Sequence, residues 1–416
     1  MDSAFTDIAQ VAAEKEGMPF ARRVIIPHEV QEENAKAKAK AAVREIIDAL
    51  TRPLAEKEKE EGVIKLEEHA RIAIRGTLSD IQEFFQKSRW TDGLPIIPPT
   101  EKNVREMLRG TSHSPDEIVV EKFLPEPWKV TVEKVAINGV MAGCKPEQMP
   151  ILLAMVEALS KGPFGASARS TTSFTFMAVV NGPAAVRAGM NSGINALGPG
   201  NPANASVGRA LTLFLTNLGG SWPGLNDTSS IGNPTKYSFA FAENEGRSPW
   251  DPFHVGQGFK KNESTVSVFV GGWYLNSPGW VTGKDVLYDI CRELKYVPLP
   301  WGATVIFDPT TARLLSEAGF SKKDIQRFLW ENTTMPAREF RKGWGYDVLV
   351  VPSIKGGIYG KKTWPESYLT ASEDTLLKVY INPDAINILV VGGETYLHYE
   401  VWKMAFPTTV SVDKWN

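Results

Sequence analysis

Three segments of this 416-residue chain combine residue types that could carry chemistry. In the first, Cys144 stands just before Pro146, which suits the first position of a helix. The N-terminus of a helix carries partial positive charge and free N–H groups, and both favour a thiolate. The sequence therefore predicts either a reactive thiol at Cys144 or, as for most free cysteines, a small buried apolar residue. Cys291 lies in an apparent apolar helix and is expected to be buried.

The second segment, residues 191–206, is rich in asparagine and glycine and leads into a helix predicted to begin at Pro202. A loop before a helix N-terminus is a general anion-binding arrangement, and Arg209 in the helix could pair with a carboxylate or phosphate. The loop lacks the residues of a P-loop and the spacing of a dinucleotide-binding fingerprint. Alternatively, its asparagines only satisfy the backbone of an irregular connection. The residues that we assign to substrate binding are Asp92, Asn191, Ser192, Asn195, Asn204, Arg209, Lys236 and Tyr237.

The third segment contains two carboxylates and an imidazole. An alternating strand is predicted over residues 237–242, so Glu243 and Glu245 share one face if the strand continues. His254 follows after a turn rich in proline and tryptophan. These groups could form an acid–base set that moves protons, or a carboxylate-rich metal site. The alternative is a pair of surface glutamates beside a structural histidine.

The composition limits the class of protein. The chain is 43% hydrophobic and 23% charged, which is typical of a folded protein rather than a disordered one. Its formal net charge of -2, without a dominant basic block, argues against nucleic acid as the main partner. Two cysteines and five histidines exclude a disulfide framework and a cysteine-rich zinc module. The sequence leaves any cofactor or metal unidentified.

The compartment is inferred from two expectations. The N-terminal residues show no basic segment followed by an apolar run, so we expect no signal peptide. No stretch approaches the roughly 18 apolar residues of a membrane-spanning helix, so we expect no membrane partner. The interpretation is a cytoplasmic protein with reduced thiols.

A charged run at residues 56–61 separates two regions of different composition. Residues 1–75 are charged and mostly helical, whereas residues 76–416 are richer in glycine, proline, asparagine, serine and tryptophan. We place the boundary between about 55 and 76 and expect a large catalytic or substrate-binding domain after it. In the first region, helices are predicted over 5–16 and 32–50 and a strand over 22–27.

The second region alternates between capped helices and β-branched apolar runs. Polar residues followed by proline or by an acidic residue indicate where helices begin. Apolar, β-branched runs indicate buried strands. This alternation predicts an α/β fold, with a mixed α+β fold as the alternative, and no fixed-period repeat is found. Helices are predicted after Thr77, Asp308 and Ser321, and strands over 304–307, 348–351 and 386–391.

Motifs in both regions resemble the UGSC (seleno)protein family. Residues 17–28 and the charged helix up to Pro53 are similar to the later half of the UGSC domain, which is named for a cysteine- or selenocysteine-Gly-Ser-Cys motif. That segment is more remotely similar to the selenoprotein B component of glycine reductase. The remainder resembles the large domain found with UGSC segments through Trp90-Thr-Asp-Gly-Leu-Pro, Val140-Met-Ala-Gly-Cys, Asn191-Ser-Gly, Gly198-Pro-Gly, Gly208-Arg, Lys236-Tyr, Ala242-Glu-Asn-Glu and Ser248-Pro-Trp.

The naming motif does not occur in this sequence, so residues 1–75 resemble a part-domain without its thiols. The resemblance implies a hetero-oligomeric enzyme in which a small partner chain supplies the thiol or selenol. That group would attack a small anionic substrate and split a C–X bond in a reductase or lyase reaction. Alternatives are a non-catalytic binding or scaffold subunit, and a metal-dependent hydrolase or lyase. In the enzyme, Cys144 would be a second thiol, and Glu243, Glu245 and His254 would move protons.

Overall fold

Helices pack around a central mixed sheet in the computed structural model. The structure describes residues 6, 9–10, 13, 18, 20–26, 32–59, 72–277, 283–296, 301–343, 345–356 and 364–416. The strands are β1 (Ile118–Phe123), β2 (Trp128–Thr131), β3 (Thr175–Asn181), β4 (Ala240–Ala242), β5 (Thr265–Ser277), β6 (Ala303–Phe307), β7 (Thr334–Pro336), β8 (Leu376–Lys378), β9 (Ile386–Val390) and β10 (Tyr399–Ser411). The α-helices are α1 (Glu32–Thr51), α2 (Glu56–Lys59), α3 (Leu78–Lys87), α4 (Glu101–Met107), α5 (Val132–Ala142), α6 (Met149–Lys161), α7 (Gly165–Ala168), α8 (Pro183–Arg187), α9 (Pro202–Asn217), α10 (Phe253–Gly256), α11 (Lys284–Tyr296), α12 (Pro309–Glu317), α13 (Lys322–Asn332), α14 (Ala337–Phe340), α15 (Val351–Lys355) and α16 (Ser367–Thr370).

The central sheet has six strands in the order β4, β3, β5, β10, β6, β9. The long strands β5 and β10 pair antiparallel at its centre, β3 and β6 flank them antiparallel, and β4 and β9 add parallel edges. The strand order is symmetric about the pair β5 and β10: β3 corresponds to β6, β4 to β9 and β5 to β10. The chain therefore repeats one arrangement twice. We call residues 149–277 the first half and residues 284–411 the second half. Two short antiparallel pairs, β1 with β2 and β7 with β8, lie outside it.

The sheet curls until the ends of its edge strands meet. Asn244, just after β4, donates its backbone N–H to the Val390 carbonyl of β9 at 2.8 Å, and its side-chain amide donates to the Gly392 carbonyl at 2.9 Å. All six strands contribute buried side chains to the concave face, which excludes water from it. These side chains are Met177, Val179, Phe241, Phe269, Ile306, Leu389, Trp402 and Met404.

Helices cover the convex face in two groups. α5, α6 and α9 pack on the first half, and α11, α12 and α13 pack on the second. Successive residues of a strand point to opposite faces, so β3 places Val179 in the concave core and Val180 against the helices. Because β3 is buried on both faces, its sequence is a continuous apolar run up to Asn181. Among the described residues, none of the helices has both the length and the apolar character that crossing a membrane requires.

The mixed α/β fold and most of the predicted elements are confirmed. The helix predicted over 32–50 is α1, and the strands predicted over 304–307 and 386–391 are β6 and β9. The predicted caps also form, because their side chains accept backbone N–H bonds of the first helical turn. The caps are Thr77, Asp308 and Ser321. The helix predicted over 5–16 lies largely outside the described residues.

Three strand predictions need correction. Residues 348–351 are helical, since a π-helical turn over Tyr346–Val350 continues into α15. Val350 and Ile354 pack there against Phe340, and a short apolar run cannot by itself distinguish a strand from a buried helix. In the strand predicted over 22–27, only Ile26 forms a β-bridge among the described residues. The strand predicted over 237–242 shortens to β4.

Arg22 ties the N-terminal segment to the end of α1. Its guanidinium donates to both carboxylate oxygens of Glu58 at 2.7 Å and to the carbonyls of Ala49, Arg52 and Pro53. This pairing lowers the pKa of Glu58 to about 2. These bonds lie within residues 22–58, and the boundary between domains 1–75 and 76–416 stays a prediction.

Lys403 of β10 is a buried lysine in the second half. Its ammonium donates to the Leu294 carbonyl at 2.6 Å and to the Tyr380 hydroxyl. It also lies 4.9 Å from the centroid of the Tyr380 ring. Burial lowers the pKa of Lys403 to about 7, because removing the charge from water disfavours the ammonium form.

The stability of the protein should therefore depend on pH through Lys403. In the unfolded chain this side chain keeps its proton up to pH 10.5, whereas in the folded protein it loses it near pH 7. Between these values the unfolded state binds more protons, so the free energy of unfolding rises with pH, by at most about 1.4 kcal/mol per unit. The wild type should gain this free energy of unfolding from pH 7 to pH 10, whereas Lys403→Met should not. In urea titrations, the free energy of unfolding of Lys403→Met minus that of the wild type should therefore fall over this range. A difference that does not change with pH would contradict this.

Candidate functional site

Glu243, directly after β4, carries a buried carboxylate where the two halves of the sheet meet. It accepts hydrogen bonds from the Asn181 amide at 2.7 Å, from the Phe253 backbone N–H at 2.6 Å and from the Lys322 ammonium at 3.2 Å. The Glu243 side chain is fully buried, whereas that of Lys322 is 19% exposed. A buried charge is tolerated only when it is paired and hydrogen-bonded, and these three donors meet that requirement.

Glu245 lies beside Glu243 and shares its partner Asn181. Its Oε1 accepts from the Asn181 amide at 2.9 Å and from the Gly182 N–H at 2.7 Å. Gly182 has φ +80, and a Cβ atom there would lie 2.3 Å from the Glu263 carbonyl, so only glycine fits this turn. Oε2 of Glu245 has no hydrogen-bond partner among the described residues. This oxygen can therefore exchange a proton with a bound molecule.

The strand does not continue to Glu245 as the sequence suggests. β4 ends at Ala242, and the Glu245 N–H turns back to donate to the Glu243 carbonyl at 3.0 Å. The turn nevertheless directs both carboxylates to one amide, that of Asn181. The two glutamates therefore form one cluster by a different local geometry.

A cavity of about 340 Å³ opens beside the two carboxylates. Ser192 and Lys261 also line it, and both can contact a polar ligand. Lys261 is largely exposed and lies 3.7 Å from the nearest oxygen of Asp251, a loose contact that leaves its charge available. The volume suits a small molecule.

The cluster lies at the carboxyl ends of the parallel strands β3 and β4, next to the end of β9. Loops and helix N-termini converge at such strand ends, where α/β sheets commonly bind ligands. At the corresponding end of β6, the Asp308 carboxylate accepts the backbone N–H groups of Thr310, Thr311 and His398. That carboxylate serves as a helix cap, so the repeated arrangement carries different side-chain chemistry in its two halves.

His254 is fully buried in α10, next to Phe253. Its Nε2 lies 3.1 Å from the Lys260 carbonyl and therefore carries the ring proton, because a carbonyl only accepts. Its Nδ1 is buried without a hydrogen-bond partner among the described residues. His254 does not line the cavity, and its role in moving protons stays a prediction.

The asparagine-rich loop is held together by its own amides. The Asn204 side chain accepts from the Asn191 N–H at 2.9 Å and donates to the Asn191 carbonyl at 2.8 Å. The Asn191 amide donates to Asn201 at 2.7 Å, and that of Asn195 donates to a loop carbonyl at 2.6 Å. These bonds agree with the alternative interpretation, in which the asparagines satisfy the backbone groups of an irregular connection. Through the Ser192 carbonyl, which accepts from a glycine after β9, the loop also joins the two halves.

Arg209 is already paired with an acidic side chain. Its Nε and Nη2 donate to the two carboxylate oxygens of Asp92 at 2.8 and 2.9 Å. The Asp92 side chain is almost fully buried, so this bidentate pair is strong. The guanidinium that the sequence assigns to a substrate anion is therefore engaged within the protein.

Asp92, Lys236 and Tyr237 line a different cavity, at the other end of β3 and β4. Thr175, the first residue of β3, lines that cavity, whereas Asn181, the last, holds Glu243 and Glu245. A strand rises about 3.3 Å per residue, so the two ends of β3 lie roughly 20 Å apart. The structure therefore separates these three predicted binding residues from the carboxylates.

Cys144 follows α5, and its backbone N–H donates to the Gly139 carbonyl of that helix at 2.9 Å. The next residues form a 3-10 turn over Pro146–Gln148, and α6 begins only at Met149. Cys144 is partly buried, and loss of solvent raises the pKa of its thiol although Arg209 opposes this shift. This corrects the expected thiolate-favouring setting, and a catalytic role for Cys144 stays a prediction.

Two residues of the cluster, Asn181 and Lys322, were missed by reasoning from sequence. Asn181 carries a usable signal, since it is a polar residue at the end of a buried strand, followed by Gly-Pro. Lys322 carries none, because it reaches Glu243 from a helix 79 residues further along the chain. Among the described residues, no group of three His, Cys, Asp or Glu side chains is placed to hold a metal ion.

Thiol labelling should show Cys144 to be unreactive in the native protein. Because burial raises the pKa of its thiol, little thiolate forms at neutral pH. A Cys291→Ser variant isolates Cys144, and we expect maleimide to modify it at least tenfold more slowly in the native state than in urea. Equal rates in the two states would instead show an accessible, reactive thiol.

Comparison of the chain with family models, curated proteins and solved structures finds no match. The UGSC resemblance therefore stays a prediction. The candidate site is defined by its own geometry, namely two carboxylates on one buried amide beside a cavity at the carboxyl ends of parallel strands.

Proposed function

We propose that this chain is the large subunit of a hetero-oligomeric enzyme that splits a C–X bond of a small anionic substrate bound beside Glu243 and Glu245. The observation that carries the proposal is the difference between the two carboxylates. Both line the cavity, but Glu243 is fully buried and paired with Lys322, whereas Glu245 keeps one oxygen without a hydrogen-bond partner among the described residues. Such an arrangement suits one positioning carboxylate and one that moves a proton.

Each side chain then has a distinct role. Glu245 exchanges a proton with the substrate through Oε2. Asn181 orients it, and Glu243, held by Lys322, fixes the position of Asn181. Lys261 contacts the anionic group of the substrate, a role that the sequence assigns to Arg209.

The proposed nucleophile is a thiolate or selenolate on the partner chain. It attacks the substrate carbon, a C–S or C–Se bond forms, and the C–X electron pair leaves with X. Glu245 in its acid form transfers its proton to the departing X. The second thiol of the partner's motif then attacks the sulfur or selenium, and the substrate carbon leaves with the C–S or C–Se electron pair and takes the proton of that thiol. A dithiol reduces the disulfide or selenenyl sulfide that remains, and the Glu245 carboxylate regains a proton from water.

The exposed face of α1 supports a protein partner. Its apolar residues Val43, Ile46, Ile47 and Leu50 are all exposed, Leu50 by 81%. A continuous apolar stripe in water marks an interaction surface, since covering it is favourable. We propose that the small chain with the Cys- or selenocysteine-Gly-Ser-Cys motif covers it and completes the UGSC-like domain.

The Glu245→Gln variant should remove activity while the protein remains folded. The amide keeps the shape but cannot exchange the proton, so we expect a loss of at least about a hundredfold. The complex of the full chain with the motif-bearing small chain is incubated with a metabolite extract and a dithiol, and mass spectrometry identifies the anion consumed. Glu317→Gln, an exposed change on α12, is the control. Equal turnover by Glu245→Gln and wild type would reject the proposed role of Glu245.

A second test concerns the partner alone. Leu50→Glu places a charge in the apolar stripe and should abolish co-purification of the small chain, because burying an unpaired charge is costly. Ala41→Glu adds the same charge on the opposite, exposed side of α1 and should leave co-purification unchanged. Loss in both variants, or in neither, would exclude this face as the docking surface.

A further inference from the structure

The second cavity, of about 500 Å³, has no part in the proposed reaction. It lies at the amino ends of β3 and β4, roughly 20 Å from the carboxylates by the length of β3. Phe174, Phe176, Leu211 and Leu215 give it apolar walls. A cavity of this volume with apolar walls and a few converging polar groups is typical of a small-molecule site.

Its polar groups form a closed cluster. The Lys236 ammonium donates to Asp227 Oδ2 at 2.6 Å and to Ser229 Oγ at 2.7 Å, while Ser229 Oγ donates to Asp227 Oδ1 at 2.6 Å. The side chains of Lys236 and Asp227 are partly exposed to the cavity. The third ammonium proton has no partner among the described residues, and the carboxylate can accept a further bond. One donor and one acceptor therefore stand side by side for a ligand.

The charges of this cavity cancel. Asp227 neutralises Lys236, and Asp92 in the wall is neutralised by Arg209. An anionic ligand would compete with Asp227 for Lys236, and a cationic one would compete with Lys236 for Asp227. A neutral group that accepts from Lys236 and donates to Asp227 adds to both interactions without breaking the ion pair.

The mouth of the cavity is apolar and open. Ile231 at its edge is 96% exposed, and Tyr237 beside it is also exposed. Large apolar side chains in water at a cavity edge gain free energy when a ligand covers them. The occupant should therefore extend an apolar body from its polar head towards this edge.

We propose that this cavity is a second ligand site, separate from the carboxylate cluster, for a neutral molecule with a carboxamide-like head on an aromatic or aliphatic body. The carbonyl oxygen of the head accepts from Lys236, and its N–H donates to Asp227. The body lies against Phe174 and Phe176. This site is independent of the proposed C–X cleavage and does not require the partner chain.

Three probes of similar size and different charge test the head group. Benzamide, benzoate and benzylamine are titrated into the full chain, with binding followed by saturation-transfer NMR. We expect benzamide to bind at least tenfold more tightly than the other two. Equal or tighter binding of benzoate or benzylamine, or no binding by benzamide up to about 20 mM, would overturn the proposal.

Variants locate the binding. Lys236→Met should weaken benzamide at least fivefold, whereas Lys261→Met, the matched change in the other cavity, should leave it unchanged. Asp227→Asn frees the charge of Lys236 and should reverse the preference towards benzoate. Circular dichroism checks that each variant is folded, and the ranking of probes on the wild type needs no variant. Equal weakening by both lysine variants would place benzamide outside this cavity and reject the assignment.

Discussion

The fully buried charge of Glu243 is the constraint on which the candidate site depends. A carboxylate without water must be met by donors, and here they come from β3, from the first backbone N–H of α10 and from α13. The first two belong to the first half of the sheet and Lys322 to the second. The site is therefore complete only when the sheet has curled and brought the two halves together. The same curl lets Asn244 bridge the ends of β4 and β9.

The repeated arrangement of the halves explains why such a meeting point exists. Each half ends a parallel strand pair in loops that face the other half. In the first half, the polar residue at the end of β3 is Asn181, whose amide holds two glutamates. At the end of β6, the polar residue is Asp308, whose carboxylate caps α12 and binds the His398 N–H. One backbone arrangement thus holds the candidate site in one half and a helix cap in the other.

Burial also decides which polar residues remain available to a ligand. The side-chain amide of Asn204 bonds the backbone of Asn191, that of Asn191 donates to Asn201, and Arg209 is paired with Asp92. A buried polar group that loses its partner costs free energy, so these contacts resist displacement by a ligand. Among the described residues, Glu245 and Lys261 at the first cavity and Lys236 at the second can still form a hydrogen bond with a ligand. Polar residues that look equivalent in the sequence therefore differ in whether a ligand can reach them.

Local features of this protein were determined by the sequence alone. The caps at Thr77, Asp308 and Ser321 depend on hydrogen bonds within one helical turn. The apolar runs of β6 and β9 and the helical periodicity of α1 could be recognised for the same reason, since each pattern is contained in a few consecutive residues. The position of two carboxylates just after β4 was also visible.

Contacts between distant residues were decided only by the tertiary structure. Lys322 reaches Glu243 across 79 residues, and Arg209 reaches Asp92 across 117. Residues 348–351 are helical and pack against Phe340, although their short apolar run is equally compatible with a buried strand. Cys144 is partly buried and is followed by a 3-10 turn instead of the start of an α-helix, so the pKa of its thiol is raised. Each of these outcomes depends on how far the sheet curls and which side chains it then encloses, and no local pattern encodes that.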